Sequence, residues 1–310
     1  MVFPVFAPSN PEHIEIDPPL KQVNAGIKPT NVVCSENLQL VLKQSNGQPA
    51  CVKLTSVEKL IQRGWAIHVL PDYNNENTNS EIFVEGSYDI ETIFVNYFNN
   101  TEGYLAKPNT EGQFPSIVMI HEWWGLNENI KTMAEKLASH GYVVLAVDLY
   151  DGSVATNSEE ARQLIGSFNS ENGIANMNSA VSYLQENNNS LKLGSIGWCF
   201  GGGQSLNLAL NNDAMDATVI YYGQLITDKN RLSSIQWPVL GIFAELDNGI
   251  PIENVQQFET SLNELNIEHE VHIYPSVDHA FANPSGDRYA PEESKDAWQK
   301  TLEFLNTTLK

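Results

Sequence analysis

The chain has 310 residues, 42% of them apolar, and carries 17 basic against 38 acidic side chains for a formal charge of −21. A field of that sign repels phosphate backbones and anionic lipids, so nucleic-acid binding is excluded and a solvated acidic surface is expected. No uninterrupted apolar run approaches the roughly 20 residues that a membrane span needs, so no membrane insertion is expected.

The opening Met1–Pro8 is too short and too broken by proline for a secretory signal, and it lacks a basic leading segment. Residues 1–20 are proline-rich without periodicity and read as an extended arm. Residues 21–71 read as a small unit. Asn37–Lys43 alternates partly like a strand, Asn46-Gly47 is a hairpin signal, and Ala50–Leu54 is the return strand. Thr55 or Ser56 then caps a helix with Val57, Leu60 and Ile61 on one face, ending before Gly64. Such a hairpin can bring Cys34 and Cys51 within bridging distance; the alternative is two buried free thiols. A bridge places the working site outside the cytoplasm, and free thiols leave it inside. Residues 72–91 are polar and Asn-rich and read as a linker.

From residue 92 the pattern changes. Thr92–Tyr97 and Glu102–Ala106 form an expected antiparallel hairpin. Buried strands follow at Ser116–Ile120, Tyr142–Val147, Leu193–Gly197, Ala217–Tyr222, Val239–Ala244 and Glu270–Tyr274. Helices are expected at Asn129–His140, Ser158–Ile165, Ile174–Asn187, Gln204–Leu210, Val255–Leu265 and Pro291–Leu305. This alternation implies an α/β domain over residues 92–310, with a mostly parallel central sheet and helices on both faces. Functional side chains in such sheets sit beyond the carboxyl ends of the strands.

Gly197-Trp198-Cys199-Phe200-Gly201 follows a strand and opens a helix. It matches the nucleophile elbow, with cysteine in place of serine, and puts the thiol at a helix N-terminus where the dipole favours a thiolate. A thiol nucleophile needs a base, and the base needs an orienting acid. Downstream of Cys199, Asp247 stands just past the strand Val239–Ala244, with Glu245 as its rival, and His279 follows the last strand. His121-Glu122-Trp123-Trp124-Gly125 follows the strand ending at Ile120, where this architecture places its second oxyanion donor. The backbone N–H groups of Trp123 and Phe200 are the expected donors. The three cysteines are not spaced for a zinc site, and no metal or organic cofactor is expected.

Together these motifs resemble the dienelactone hydrolase family. The resemblance rests on the Gly-x-Cys-x-Gly-Gly elbow, His121–Asn127, Ala146–Tyr150 and Asp278–Asn283, and spans roughly residues 92–310. It implies an α/β-hydrolase fold with a small N-terminal appendage, and cleavage of a small-molecule ester or lactone by a monomer or homodimer. It makes Cys199, Asp247 and His279 the triad, and Glu122 the carboxylate that takes the thiol proton. Family members that bind a substrate carboxylate hold it with arginines, one of them four residues after the histidine; here that position is Asn283. Arg162 and Arg288 are the replacement candidates. Trp124, Trp198 and Phe281 complete the expected pocket. A set with no member lost argues against a non-catalytic binding protein on the same scaffold. Pro29–Cys34, Pro49–Val52 and Arg63-Gly64-Trp65 resemble a small two-cysteine module of exported archaeal proteins, which implies no activity.

Overall fold

The computed structural model describes residues 16–29, 32–35, 38–43, 47–53, 56–63, 65–68, 86–188 and 192–310. They form two compact units, one within residues 1–79 and one within 80–310. Most of the expected arm and linker, together with Asn46, lies outside the described residues.

The first unit holds helix α1 (Pro19–Asn24), strands β1 (Leu38–Lys43) and β2 (Pro49–Lys53), helix α2 (Val57–Gln62) and strand β3 (Ala66–His68). The strands form an antiparallel sheet in the order β2-β1-β3. Val41 of β1 is fully buried against Val57 and Ala66. The end of the expected arm is helical instead: proline at the first helical position arrives with its φ already set. Gln22 of α1 then clamps Val33, accepting from its N–H at 2.8 Å and donating to its carbonyl at 2.7 Å. Cys34 and Cys51 are disulfide-bonded with Cα atoms 5.6 Å apart. For a loop of 17 residues such a link contributes about 3 kcal/mol.

The second unit opens with the antiparallel hairpin β4 (Ile90–Phe98) and β5 (Thr101–Pro108). It continues β6 (Ser116–Ile120), α3 (Glu128–Ser139), β7 (Val143–Val147), α4 (Ser158–Ser167), α5 (Ser170–Asn188), β8 (Leu193–Trp198) and α6 (Phe200–Asn211). The remainder is β9 (Ala217–Tyr221), α7 (Lys229–Leu232), β10 (Val239–Ala244), α8 (Ile252–Glu264), β11 (His269–Tyr274) and α9 (Pro291–Leu309). The eight strands make one sheet in the order β11-β10-β9-β8-β6-β7-β5-β4. The six from β6 to β11 run parallel. Strands β6 to β10 are buried along their whole length, which is why they read as continuous apolar runs. Helices α3 and α9 cover one face of the sheet, and α5, α6 and α8 the other. Among the described residues, no helix is long and apolar enough to cross a membrane.

Helix α6 starts at Phe200, four residues before the expected Gln204. Glycine disfavours helix, but here contact decides. A Cβ on Gly201 would strike the Ile120 and His121 carbonyls, and one on Gly202 the Tyr221 carbonyl. The glycines let the first turn of α6 lie directly on the ends of β6 and β9. Strand β6 sits between β7 and β8, so the order of the parallel strands reverses there and opens a crevice beyond their carboxyl ends.

Candidate active site

Trp198 ends β8 and Phe200 begins α6, so the turn between them is Cys199 alone. Its backbone sits at φ 55° and ψ −117°. A non-glycine residue held there costs of order 1–3 kcal/mol and persists because its surroundings over-determine it. The Cys199 N–H donates to the Tyr221 carbonyl at 3.0 Å. A Cβ on Gly197 would collide with the Gly201 carbonyl, so this glycine is required for strand and helix to close over the turn. Cys199 is half-buried and carries a free thiol.

His279, past the end of β11, hydrogen-bonds Cys199 on one side. On the other, its Nδ1 meets the Asp247 Oδ2 at 2.6 Å. Asp247 is fixed from behind, since its Oδ1 accepts from Gly249 N–H at 2.8 Å and Ile250 N–H at 3.1 Å. Burial opposes the Asp247 carboxylate, but the His279 bond and charge and the two backbone donors outweigh it and hold the pKa below the usual range. Burial likewise opposes the imidazolium of His279, yet the hydrogen bonds to Asp247 and Cys199 and their charges push its pKa up to about 10. Glu245 does not compete with Asp247: it is exposed and accepts from Ser276 N–H at 2.8 Å. Asp278 caps the His279 N–H and pairs with Arg288 at 3.2 Å.

Glu122 stands beyond the end of β6 and is 2% exposed. Its Oε2 accepts from the Asn283 amide at 2.5 Å. The other end of that amide accepts from Ser285 N–H at 2.9 Å, which fixes its orientation. Burial raises the Glu122 pKa to about 7, with the His279 charge and the Asn283 bond opposing the rise. His121 anchors the same loop. Its Nε2 accepts from Leu149 N–H at 3.1 Å, which leaves the proton on Nδ1 to donate to the Glu122 carbonyl at 2.5 Å. Full burial holds the imidazole neutral, so it ties the β6 loop to the β7 loop without titrating.

The remaining expected residues divide. Trp123 and Trp124 are half-buried and meet edge to face with ring centres 5.0 Å apart. Phe200 stacks on Tyr150 at 5.6 Å and on His121 at 5.9 Å. Trp198 and Phe281 are core residues, packed on Tyr221 at 5.3 Å and on Tyr274 at 5.1 Å. Arg162 is exposed and pairs with Glu159, and Arg288 is exposed in its pair with Asp278. A cavity of about 740 Å³ lies away from this cluster. Phe94, Thr101, Lys131, Asp148 and Asp151 line it, with none of Cys199, Asp247, His279 or Glu122. The sequence had flagged Asn283 as a missing arginine but not as the partner of Glu122, and it left His121 and Tyr222 without roles. The His-Glu pair closing a buried strand was the available signal for His121.

The parallel sheet, the one-residue elbow at its reversal point and the histidine and acid on later strand ends define an α/β-hydrolase fold. The model of the dienelactone hydrolase family matches residues 101–309. A "Putative carboxymethylenebutenolidase" from Synechocystis sp. is 30% identical over 249 residues, covering 72% of this chain and 99% of the relative. "Protein usf" from Aquifex pyrophilus is 33% identical, covering 67% and 93%. The crystal structure of a "Putative Dienelactone Hydrolase" from Klebsiella pneumoniae superposes with a TM-score of 0.65 at 25% identity, covering 70% of this chain and 99% of that one. The chain belongs to the dienelactone hydrolase family and is an ester hydrolase of that family.

Proposed function

We propose that the chain cleaves esters or lactones through Cys199 as nucleophile, His279 as base, Asp247 as the group orienting His279, and a thioester intermediate. The placement of His279 between Asp247 and Cys199 carries this reading. Glu122 takes the thiol proton, and the Cys199 thiolate attacks the substrate carbonyl. Phe200 opens α6, so its N–H has no acceptor within the helix and is free for the oxyanion; the Trp123 N–H is the second donor. The alkoxide or enolate leaves. Formation of the thioester then removes the hydrogen bond and charge of Cys199 that raise the His279 pKa. His279 then gives its proton to the departing alkoxide or enolate and is left neutral, the form that can take a proton from the hydrolytic water.

The substrate is best read as uncharged near the scissile bond. Among the described residues, the buried groups around Cys199 include two carboxylates and no arginine or lysine, while Arg162 and Arg288 are engaged in exposed ion pairs. The Cys34–Cys51 bridge favours a setting outside a reducing compartment.

The test is turnover of 4-nitrophenyl acetate. Cys199→Ala is expected to lose roughly 10³-fold or more in kcat. Full activity in Cys199→Ser would contradict the mechanism.

A further inference from the structure

Two tyrosines packed against the residues that flank or face Cys199, Tyr222 on His279 and Tyr150 on Phe200, have hydroxyls with nothing to donate to. Tyr222 follows β9 and is fully buried, with φ at 34°, a backbone conformation that bulky residues rarely adopt. Tyr150 follows β7 and is 8% exposed. Neither hydroxyl makes a hydrogen bond. The Ala282 N–H approaches the Tyr222 oxygen, but an N–H can only donate, so the phenolic proton still lacks an acceptor.

The two rings are held in place. Tyr222 packs on His279 at 5.2 Å and on Phe281 at 5.7 Å. Tyr150 packs on His121 at 4.8 Å and on Phe200 at 5.6 Å. Burial, chiefly, raises both pKa values, so both hydroxyls keep their protons. Each also interacts electrostatically with Cys199, and Tyr222 with Glu122 as well. Unsatisfied buried donors lower stability, and two of them held among the residues of one site call for an explanation.

We propose that Tyr222 and Tyr150 are the donors that receive the negative charge of Cys199 when its proton leaves. The inference rests on Cys199 being the nucleophile. In that step the S–H bond breaks, an O–H bond forms on the Glu122 carboxylate, and the electron pair stays on sulfur. His279, backed by Asp247, serves the sulfur from beyond β11, while the tyrosines stand beyond the ends of β7 and β9. A donor unpaired at rest and paired in the charged state favours the charged state alone. These two are therefore the counterpart, at the nucleophile, of the oxyanion donors at the carbonyl.

Tyr222→Phe and Tyr150→Phe each remove one oxygen and leave the ring. The readouts are the rate at which iodoacetamide alkylates Cys199 and the thermal midpoint. Alkylation forms a C–S bond and releases iodide, so it needs no ester turnover. Each variant is expected to alkylate about ten-fold more slowly near pH 7, the effect of one hydrogen bond to a charged group, with its pH profile displaced upward. Thermal midpoints should stay level or rise, because an unpaired buried hydroxyl has gone. Unchanged alkylation profiles would overturn the proposal, as would a fall in Tm that accounts for the slower reaction. Cys199→Ala that still hydrolyses esters would remove the nucleophile reading, and with it the purpose of the two hydroxyls, whatever the alkylation rates show.

Discussion

The loops after β6 and β10 each bury one carboxylate close to His279. Glu122 is 2% exposed and Asp247 is 4% exposed. Asp247 is met by an imidazole and two backbone N–H groups, and its pKa falls. Glu122 is met by one neutral amide and feels His279 only through its charge, and its pKa rises to about 7. Equal burial thus yields opposite protonation behaviour, and the number and charge of the donors decides it. In the mechanism proposed above, the lowered carboxylate is the one that orients the base, and the acid poised near neutrality is the one that trades a proton with the thiol.

The sharpest way to break this contrast is Asp247→Asn. An amide there can donate to Nδ1 and impose the wrong tautomer on His279, so kcat is expected to fall roughly 10³- to 10⁴-fold with the fold intact by circular dichroism. A loss of less than ten-fold would mean that His279 is oriented by something else.

Glu122→Gln should separate activity from stability. Its folded pKa lies above the unfolded value, so its contribution to stability is complete at low pH and is lost as pH rises through about 7. The glutamine variant is therefore expected to match wild type near pH 4 and to exceed it by about 3 kcal/mol above pH 8 in denaturant titrations. Its esterase rate should fall about 100-fold, the usual size of a general-base contribution. Equal stability at pH 8 would show that Glu122 is better solvated than its burial implies.

The smallest effect belongs to Asn283→Ala. The amide bond opposes the rise in the Glu122 pKa, so removing it should move the acidic limb of the kcat/KM profile upward by about one pH unit. Asn283→Arg should move that limb downward, because a cation favours the carboxylate. Movement of both variants in one direction would contradict the pairing.

Much of this was legible in the sequence because it is local. The elbow is five consecutive residues, and the buried strands announce themselves as apolar runs. Asp247 and His279 lie 32 residues apart, yet both follow a strand, so the order of elements located them. The bond between Glu122 and Asn283 spans 161 residues and has no local pattern behind it. Tyr222 read as the last residue of a strand, since a positive φ on tyrosine leaves no mark in composition. Helix α6 was expected to start late because three glycines look like a turn until two of them, Gly201 and Gly202, meet the backbone at the ends of β6 and β9. Strand β3 and helix α7, three and four residues long, are too short for periodicity to show.

The central claim is that the acyl group passes through sulfur. The direct measurement is mass spectrometry of the protein quenched shortly after mixing with a slowly hydrolysed 4-nitrophenyl ester, followed by digestion. An acyl adduct on the peptide carrying Cys199, absent after hydroxylamine treatment and absent in Cys199→Ala, is the predicted result. Release of 4-nitrophenol with the adduct on another residue would contradict it.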